Sequence, residues 1–196
     1  GPTIQLSSNR AISKGIDLEN IFSLTAEAKK LKNDLPIILM GYYNLILYFG
    51  IDEFVKRCKE NGVDGLIIVD LQPEEDEDLI KELKSNQIDL IRLITPTTNE
   101  ERLKLILNNA SGFLYYVSVM GITGQKSANL DELRQSVEFI KKHTDLPVIP
   151  GFGIKNENDV NKICKIADGA VVGSSIIKII EENLNDKEKM LSEINK

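Results

Sequence analysis

The sequence contains a single histidine, His143, and only two cysteines, Cys58 and Cys164. These few residues offer no set of side chains spaced to bind a metal ion. Because both cysteines fall in segments with helical spacing, they predict no disulfide framework, and we expect a reducing, cytoplasmic setting. His143 ends a predicted helix, where a cation is favourable beside the helix dipole, so we expect it to be structural.

No apolar run reaches the roughly 18 residues of a membrane span, and no signal peptide is visible. The formal net charge is −6, and the basic residues are scattered through helical segments instead of forming a stripe. These features argue against a membrane or nucleic acid as a partner. With 196 residues, 42% of them hydrophobic, residues 1–196 are expected to form a single domain with a sizeable core.

Short apolar runs alternate with helical patterns about six times, roughly one pair per 25 residues. The runs at Leu35–Met40, Leu66–Val69, Leu90–Ile94 and Gly112–Ser118 do not alternate between apolar and polar residues, which is typical of parallel strands buried on both faces. Six βα units exceed a flavodoxin-like sheet and fall short of a closed (β/α)8 barrel, and an open barrel would expose long strand edges. The sequence therefore predicts an α/β fold, a TIM barrel that lacks its two N-terminal strands.

Two consecutive strand-to-helix junctions are rich in glycine. A predicted strand at 147–150 ends in Gly151-Phe152-Gly153, and another at 169–172 ends in Gly173-Ser174-Ser175. Backbone N–H groups at such turns and at helix N-termini suit a phosphate, and the serine hydroxyls can donate to it or cap the helix. Alone, Gly-Ser-Ser before a helix is only an N-cap. Paired with the earlier glycine turn, it matches the phosphate site that barrels build after strands 7 and 8.

Six motifs follow one another along nearly the whole chain: GPTIQ at 1–5, LMGYYN at 39–44, VDLQPEE at 69–75, YYVSVMGITG at 115–124, PGFGI at 150–154 and VVGSSIIKII at 171–180. In combination they resemble the α-subunit family of tryptophan synthase. The resemblance implies a lyase of tryptophan biosynthesis that cleaves indole-3-glycerol phosphate to indole and glyceraldehyde 3-phosphate. It also implies an α2β2 complex, with pyridoxal phosphate (PLP) in the β subunit and no cofactor in this one.

The front of the sequence departs from the family pattern. In the family, GPTIQ directly follows an aspartate that holds the indole nitrogen, and a catalytic glutamate ends the second strand. Both carboxylates would precede Gly1, so we expect no catalytic carboxylate within residues 1–196. Because the cleavage needs positioned groups to move protons, the polypeptide 1–196 alone is expected to be inactive.

By resemblance, the remaining residues supply the substrate site. The residues expected to hold the phosphate are Gly124, Gly153, Gly173 and Ser174. The residues expected to line the indole pocket are Ile4, Tyr42, Leu93 and Phe152. Apolar pocket walls and ordinary core are hard to separate in a sequence, so core packing is the alternative for this second group.

Tyr115 matches the tyrosine whose hydroxyl lies near the family's catalytic glutamate; on spacing alone it is equally a barrel-core aromatic. Thr123 matches a threonine that helps to order a loop at the catalytic face, with a plain surface loop as the alternative. Gly121 and Gly124 permit that loop to close over substrate. Val119 replaces the family's usual arginine, so we expect that arginine's contact in the closed state to be lost.

Asp70 is a carboxylate at the carboxyl end of a strand, where barrel active sites lie. Catalysis is one interpretation, but the resemblance places Asp70 at the β-subunit contact with Asn44 and Pro73, and we favour the interface. The acidic run at 74–78 complements the dipole of a helix start and needs no functional explanation. Arg92, inside an apolar strand, has no explanation from the sequence.

Two other functions stay open at this point. Another phosphate-binding barrel enzyme, such as a phosphosugar isomerase, would want lysine or metal-binding histidine at strand ends, and the sequence has neither there. A non-catalytic phosphate-binding or partner-activating module is favoured only if residues 1–196 are the whole gene product.

Overall fold

A computed structural model describes residues 2–117, 126–151, 154 and 156–195, with the backbone alone at 126–129. Its helices are α1 (Pro2–Ser13), α2 (Leu18–Leu31), α3 (Tyr43–Phe49), α4 (Ile51–Glu60), α5 (Glu77–Asn86), α6 (Glu100–Leu107), α7 (Lys126–Lys141), α8 (Glu157–Ile163), α9 (Ser174–Glu182) and α10 (Lys187–Ile194). Its strands are β1 (Ile38–Gly41), β2 (Gly65–Ile68), β3 (Asp89–Ile94), β4 (Leu114–Val117) and β5 (Val148–Gly151). Within these ranges, every helix falls short of the length and apolar character that a bilayer span requires.

The described strands form one parallel sheet in chain order, β1-β2-β3-β4-β5. Beyond β5, Val171 makes an isolated parallel bridge to Gly151. The full strand predicted at 169–172 is therefore wrong, since this segment pairs with the sheet at one residue. The N–H of Val171 donates to the carbonyl oxygen of Pro150, and only Val172 separates this bridge from Gly173, the N-cap of α9.

Both faces of the sheet carry buried residues. The helix-facing side chains of Leu66, Leu90, Leu114 and Val148 are at most 2% exposed. They fall into two apolar clusters, one against α2, α4 and α5, the other against α6, α7 and α8. Ile91, on the opposite face, is 1% exposed. Burial on both faces explains the uninterrupted apolar runs in the sequence.

Helix α2 begins directly after Asp17, which is its N-cap. The carboxylate of Asp17 accepts from the Asn20 N–H and the Asn20 side chain accepts from the Asp17 N–H, which closes a capping box. The sequence patterns do not predict α1 or α3. None of the described residues of α1 is fully buried, and α3 has only seven residues, so neither shows a strong helical period. α1 packs against α9, where Arg10 pairs with Glu181 at 3.0 Å.

Candidate active site

The residues predicted to bind substrate follow the carboxyl edge of the sheet, where parallel strands bring their ends together. Tyr42 follows β1, Leu93 lies near the end of β3, and Tyr115 lies in β4. Gly173 and Ser174 come just after Val171, beside the end of β5. The residues whose predictions fall outside the described ranges are Val119, Gly121, Thr123, Gly124, Phe152 and Gly153.

The start of α9 has no side-chain cap. Gly173 occupies the N-cap position, and Ser174 and Ser175 are the first helical residues, so the prediction that these serines cap the helix is wrong. Ser175 Oγ instead donates to the carbonyl oxygen of Ile154. This hydrogen bond ties the start of α9 to the loop after β5, and so joins the two glycine-rich junctions.

This helix start also has room for a ligand. Among the described residues, a Cβ added at Gly173 would meet no atom within 4 Å, and Gly173 and Ser174 are both exposed. The first N–H groups of a helix have no partner within the helix and carry partial positive charge. An oxyanion placed here would therefore meet several donors, as the sequence predicts for a phosphate.

The Tyr115 hydroxyl lies directly over Gly151. A Cβ at Gly151 would overlap the hydroxyl oxygen and Cζ of Tyr115, so this close approach requires glycine. The strand register sets Tyr115 between Leu93 on β3 and Ile149 on β5. Burial raises the pKa of Tyr115 above the ordinary value of 10.0. The phenol therefore stays protonated at neutral pH and can donate a hydrogen bond.

A cavity of about 490 Å³ opens beyond the ends of β2, β3 and β4. Leu93 and Val117 give it an apolar wall, and Thr95 adds a hydroxyl at its rim. A mixed lining of this kind suits a small organic ligand. The other predicted pocket residues stand apart from it in the described chain: Tyr42 is 58% exposed before α3, and Ile4 is 43% exposed on α1.

Asp70 accepts a hydrogen bond through Oδ1 from the backbone N–H of Tyr43, the first residue of α3, at 2.8 Å. A carboxylate at this point complements the positive end of the helix dipole. The bond brings Asn44, the next residue of α3, close to residues 69–76. We call this segment the Asp70 loop, and it also contains Pro73. Asn44 and Asp70 are exposed. The residues predicted to contact a β subunit therefore share one surface.

Arg92 and Asp76 form a buried ion pair that the sequence does not predict, with the two residues 5% and 3% exposed. The acidic run at 74–78 therefore does more than complement a helix dipole, because its Asp76 lies in the core. Arg92 Nη1 also donates to the carbonyl oxygen of Leu71 at 3.2 Å. Burial and the nearby Arg102 lower the pKa of Arg92 to about 10, which still leaves it cationic at neutral pH. The sign of this ion pair in the sequence was Arg92 itself, because a charged residue in a buried strand needs a partner.

In the described ranges, no three His, Cys, Asp or Glu side chains lie close enough together to hold a metal ion. His143 Nδ1 is 3.0 Å from the carbonyl oxygen of Phe139, and its Nε2 is 3.6 Å from Glu100 Oε1. These contacts fit the structural role predicted for His143 at a helix end. Cys58 is buried, Cys164 is exposed, and both are free thiols.

Comparisons with known proteins agree with this geometry. The profile of the tryptophan synthase alpha chain family matches residues 1–196. The tryptophan synthase alpha chain of Petrotoga mobilis is 43% identical over 194 residues, which make up 99% of this chain and 75% of that protein.

Solved structures lead to the same family. Tryptophan synthase subunit alpha from Campylobacter jejuni superposes with a TM-score of 0.88 and 38% identity, over 98% of this chain and 75% of that one. A structure of the tryptophan synthase α2β2 complex from Pyrococcus furiosus matches with a TM-score of 0.86 and 34% identity, over 98% of this chain and 76% of that one. These superpositions confirm the predicted TIM-barrel fold. The chain belongs to the tryptophan synthase alpha chain family.

Proposed function

We propose that this protein is the lyase subunit of tryptophan synthase and cleaves indole-3-glycerol phosphate to indole and glyceraldehyde 3-phosphate. The observation that carries the proposal is the hydrogen bond from Ser175 to Ile154. It joins the two glycine junctions into one donor-rich site at the carboxyl edge, in a chain that belongs to this family.

The phosphate of the substrate would bind at the start of α9. The uncapped N–H groups after Gly173 and the hydroxyl of Ser174 supply donors, and the helix dipole favours the negative charge. By resemblance, Gly124 and Gly153 add further backbone donors. These donors would bind the phosphate of any phosphorylated substrate, so they contribute to affinity more than to substrate specificity.

The indole end would lie towards β3 and β4. Leu93 supplies an apolar wall there, and the resemblance adds Phe152. Ile4 and Tyr42, which the resemblance also assigns to the indole pocket, stand apart from this cavity in the described chain. During cleavage, indole C3 gains a proton while the hydroxyl on the adjacent glycerol carbon loses one and becomes the aldehyde. The neutral phenol of Tyr115 would hydrogen-bond the group that moves these protons, and Thr123 would order the loop over it.

The groups that move the protons are expected to be the aspartate before GPTIQ and the glutamate of the second strand, as in the family. We therefore propose that the polypeptide 1–196 by itself does not release indole. A normal rate of indole release from residues 1–196 alone would refute this part of the proposal.

The partner would be a tryptophan synthase β subunit, in an α2β2 complex. The surface formed by Asn44, Asp70 and Pro73 is the proposed contact, and α3 adds the side chain of Tyr48, which is 94% exposed. By resemblance, PLP belongs to the β subunit, and this subunit needs no cofactor of its own. The family places the pair in the cytoplasm, which we propose for this protein too.

The decisive experiment is an assay of the full gene product with indole-3-glycerol phosphate, with and without its cognate β subunit. Indole release that increases when the β subunit is added supports both the lyase and the partner. The Ser175→Ala variant, which loses the bond between the junctions, should need more substrate for half-maximal rate. Absence of indole release under both conditions would refute the proposed function.

A further inference from the structure

Arg92 occupies a position in β3 that ordinarily takes an apolar residue. Its neighbours on the helix-facing side are Leu90 and Ile94, which belong to the two separate apolar clusters of the fold. Arg92 lies between these clusters and is 5% exposed. Removing a guanidinium from water is unfavourable unless it is paired and hydrogen-bonded, so its partners show what the position is used for.

Both partners of Arg92 lie on the Asp70 loop. The carbonyl of Leu71, near the beginning of the loop, accepts from Nη1 at 3.2 Å, and the carboxylate of Asp76, its last residue, pairs with Nη2. Asn109 Nδ2 lies 3.4 Å from the other carboxylate oxygen of Asp76. Arg92 therefore connects the two ends of the loop to the central strand of the sheet.

A second arginine holds the outer side of the same loop. Arg102, on α6, contacts the side chains of Gln72 and Glu74. These contacts are exposed to solvent and of a kind that contributes little to stability. The buried pair differs, because a buried ion pair is seldom more stabilising than apolar residues of similar size, and in some proteins it serves to select one conformation.

We propose that Arg92 is a positioning residue, which holds the Asp70 loop in the conformation that the β subunit binds. Asp70 and Pro73 would make the contact, and Arg92 would set its affinity from within the core without touching the partner. This inference rests on the proposed function, because it takes the β subunit as the partner.

The test compares variants of the full gene product. Arg92→Met alone would leave the charge of Asp76 buried without its partner and is expected to fold poorly. The informative variant is therefore Arg92→Met combined with Asp76→Leu, which removes both charges and keeps the volume similar. Lys104→Ala, which breaks an exposed ion pair with Glu100 on α6, is the matched control.

Three quantities are measured: the affinity for the β subunit, indole release without the β subunit, and amide hydrogen exchange of residues 69–76. For the double variant we expect at least about a fivefold loss of affinity, the lower end of typical couplings between sites. Exchange in the Asp70 loop should become faster, and the Lys104→Ala control should stay at parent levels in all three quantities. Because Arg92 also lines the cavity beyond β3, indole release without the β subunit should fall, but by less than the affinity. A loss of affinity that exceeds the loss of indole release excludes a general loss of folding.

Unchanged affinity for the β subunit in a folded double variant would overturn the proposal. Equal losses of affinity and of β-independent indole release would also overturn it, since they indicate a general structural role. If the parent protein itself does not bind the β subunit, the proposed function has failed. The exchange data then still decide whether Arg92 holds the loop, and unchanged exchange would refute that as well.

Discussion

Asp64 and Asp168 make the same pair of contacts at two separate places in the sheet. Oδ2 of Asp64 accepts from the Lys29 ammonium and from the backbone N–H of Ile37, each at 2.7 Å. Oδ2 of Asp168 lies 2.7 Å from the Lys141 ammonium and accepts from the N–H of Val148 at 2.7 Å. In each case the aspartate precedes a glycine that leads into the next sheet segment. Asp64 thereby links the start of β1 to α2, and Asp168 links the start of β5 to α7.

This shared arrangement predicts a pH dependence of stability. The Lys141 and Val148 hydrogen bonds lower the pKa of Asp168; burial raises the pKa of Asp64, but bonds from Lys29 and Ile37 outweigh it and lower the pKa overall. A carboxylate with a lowered pKa in the folded state stabilises the protein above the unfolded pKa of about 3.9, and this contribution is lost as pH falls through the folded pKa.

Asp168→Asn and Asp64→Asn should therefore each lower the free energy of unfolding at pH 7. We expect about 1 kcal/mol, at the low end for bonds to a charged group because both side chains are partly exposed. The difference from the parent should shrink below about pH 4. Urea unfolding at several pH values measures it, with Asp34→Asn, an exposed residue before β1, as control. A difference that persists unchanged at pH 3 would contradict the explanation.

A second prediction concerns Gly151 and Tyr115. Gly151→Ala would place a Cβ against the Tyr115 phenol and force the ring to move, at a cost of about 1–3 kcal/mol in stability. If Tyr115 acts near the reacting atoms, kcat for indole release should fall too. Gly169→Ala is the matched control, because its Cβ would lie 3.6 Å from Ile149, an ordinary contact. Equal activity of the two variants would remove Tyr115 from the site.

The sequence alone predicts the structure of a segment correctly where that structure depends on residues adjacent along the chain. The apolar runs at Leu66–Val69 and Leu90–Ile94 are recognisable from adjacent residues alone, and they form β2 and β3. The Arg92–Asp76 pair was not, because its members are 16 positions apart by their residue numbers and meet only through the strand order. Val171 likewise reads as part of a strand, because an apolar run looks the same in the sequence whether it makes one bridge or a full ladder.

A third prediction follows from the contrast between the two cysteines. Burial raises the pKa of Cys58 to about 12, so almost none of it is thiolate at pH 8, whereas Cys164 is exposed. Because the thiolate is the reactive form, a maleimide should label Cys164 rapidly and Cys58 only after unfolding in urea. Mass spectrometry of the digested protein gives the labelled position. Rapid labelling of Cys58 in the folded protein would mean that α4 opens readily.

The phosphate site can be tested by adding one methyl group. Gly173 and Gly41 both lie at the carboxyl edge, and a Cβ on either would meet no atom within 4 Å in the part of the chain that the structure describes. Neither glycine has a positive φ, so both alanine variants should fold and melt close to the parent.

The two variants should differ in phosphate binding. At Gly173 the added methyl would stand where the phosphate approaches the start of α9. Loss of one hydrogen bond to a charged group, about 1.5–3 kcal/mol, should weaken binding of glycerol 3-phosphate by about tenfold or more. Gly41→Ala should bind it like the parent, because the start of the nearest helix, α3, is already occupied by the carboxylate of Asp70. Calorimetric titration of the full gene product distinguishes these cases. Equal weakening in both variants would mean that the ligand binds elsewhere along the edge and that the start of α9 is not the phosphate site.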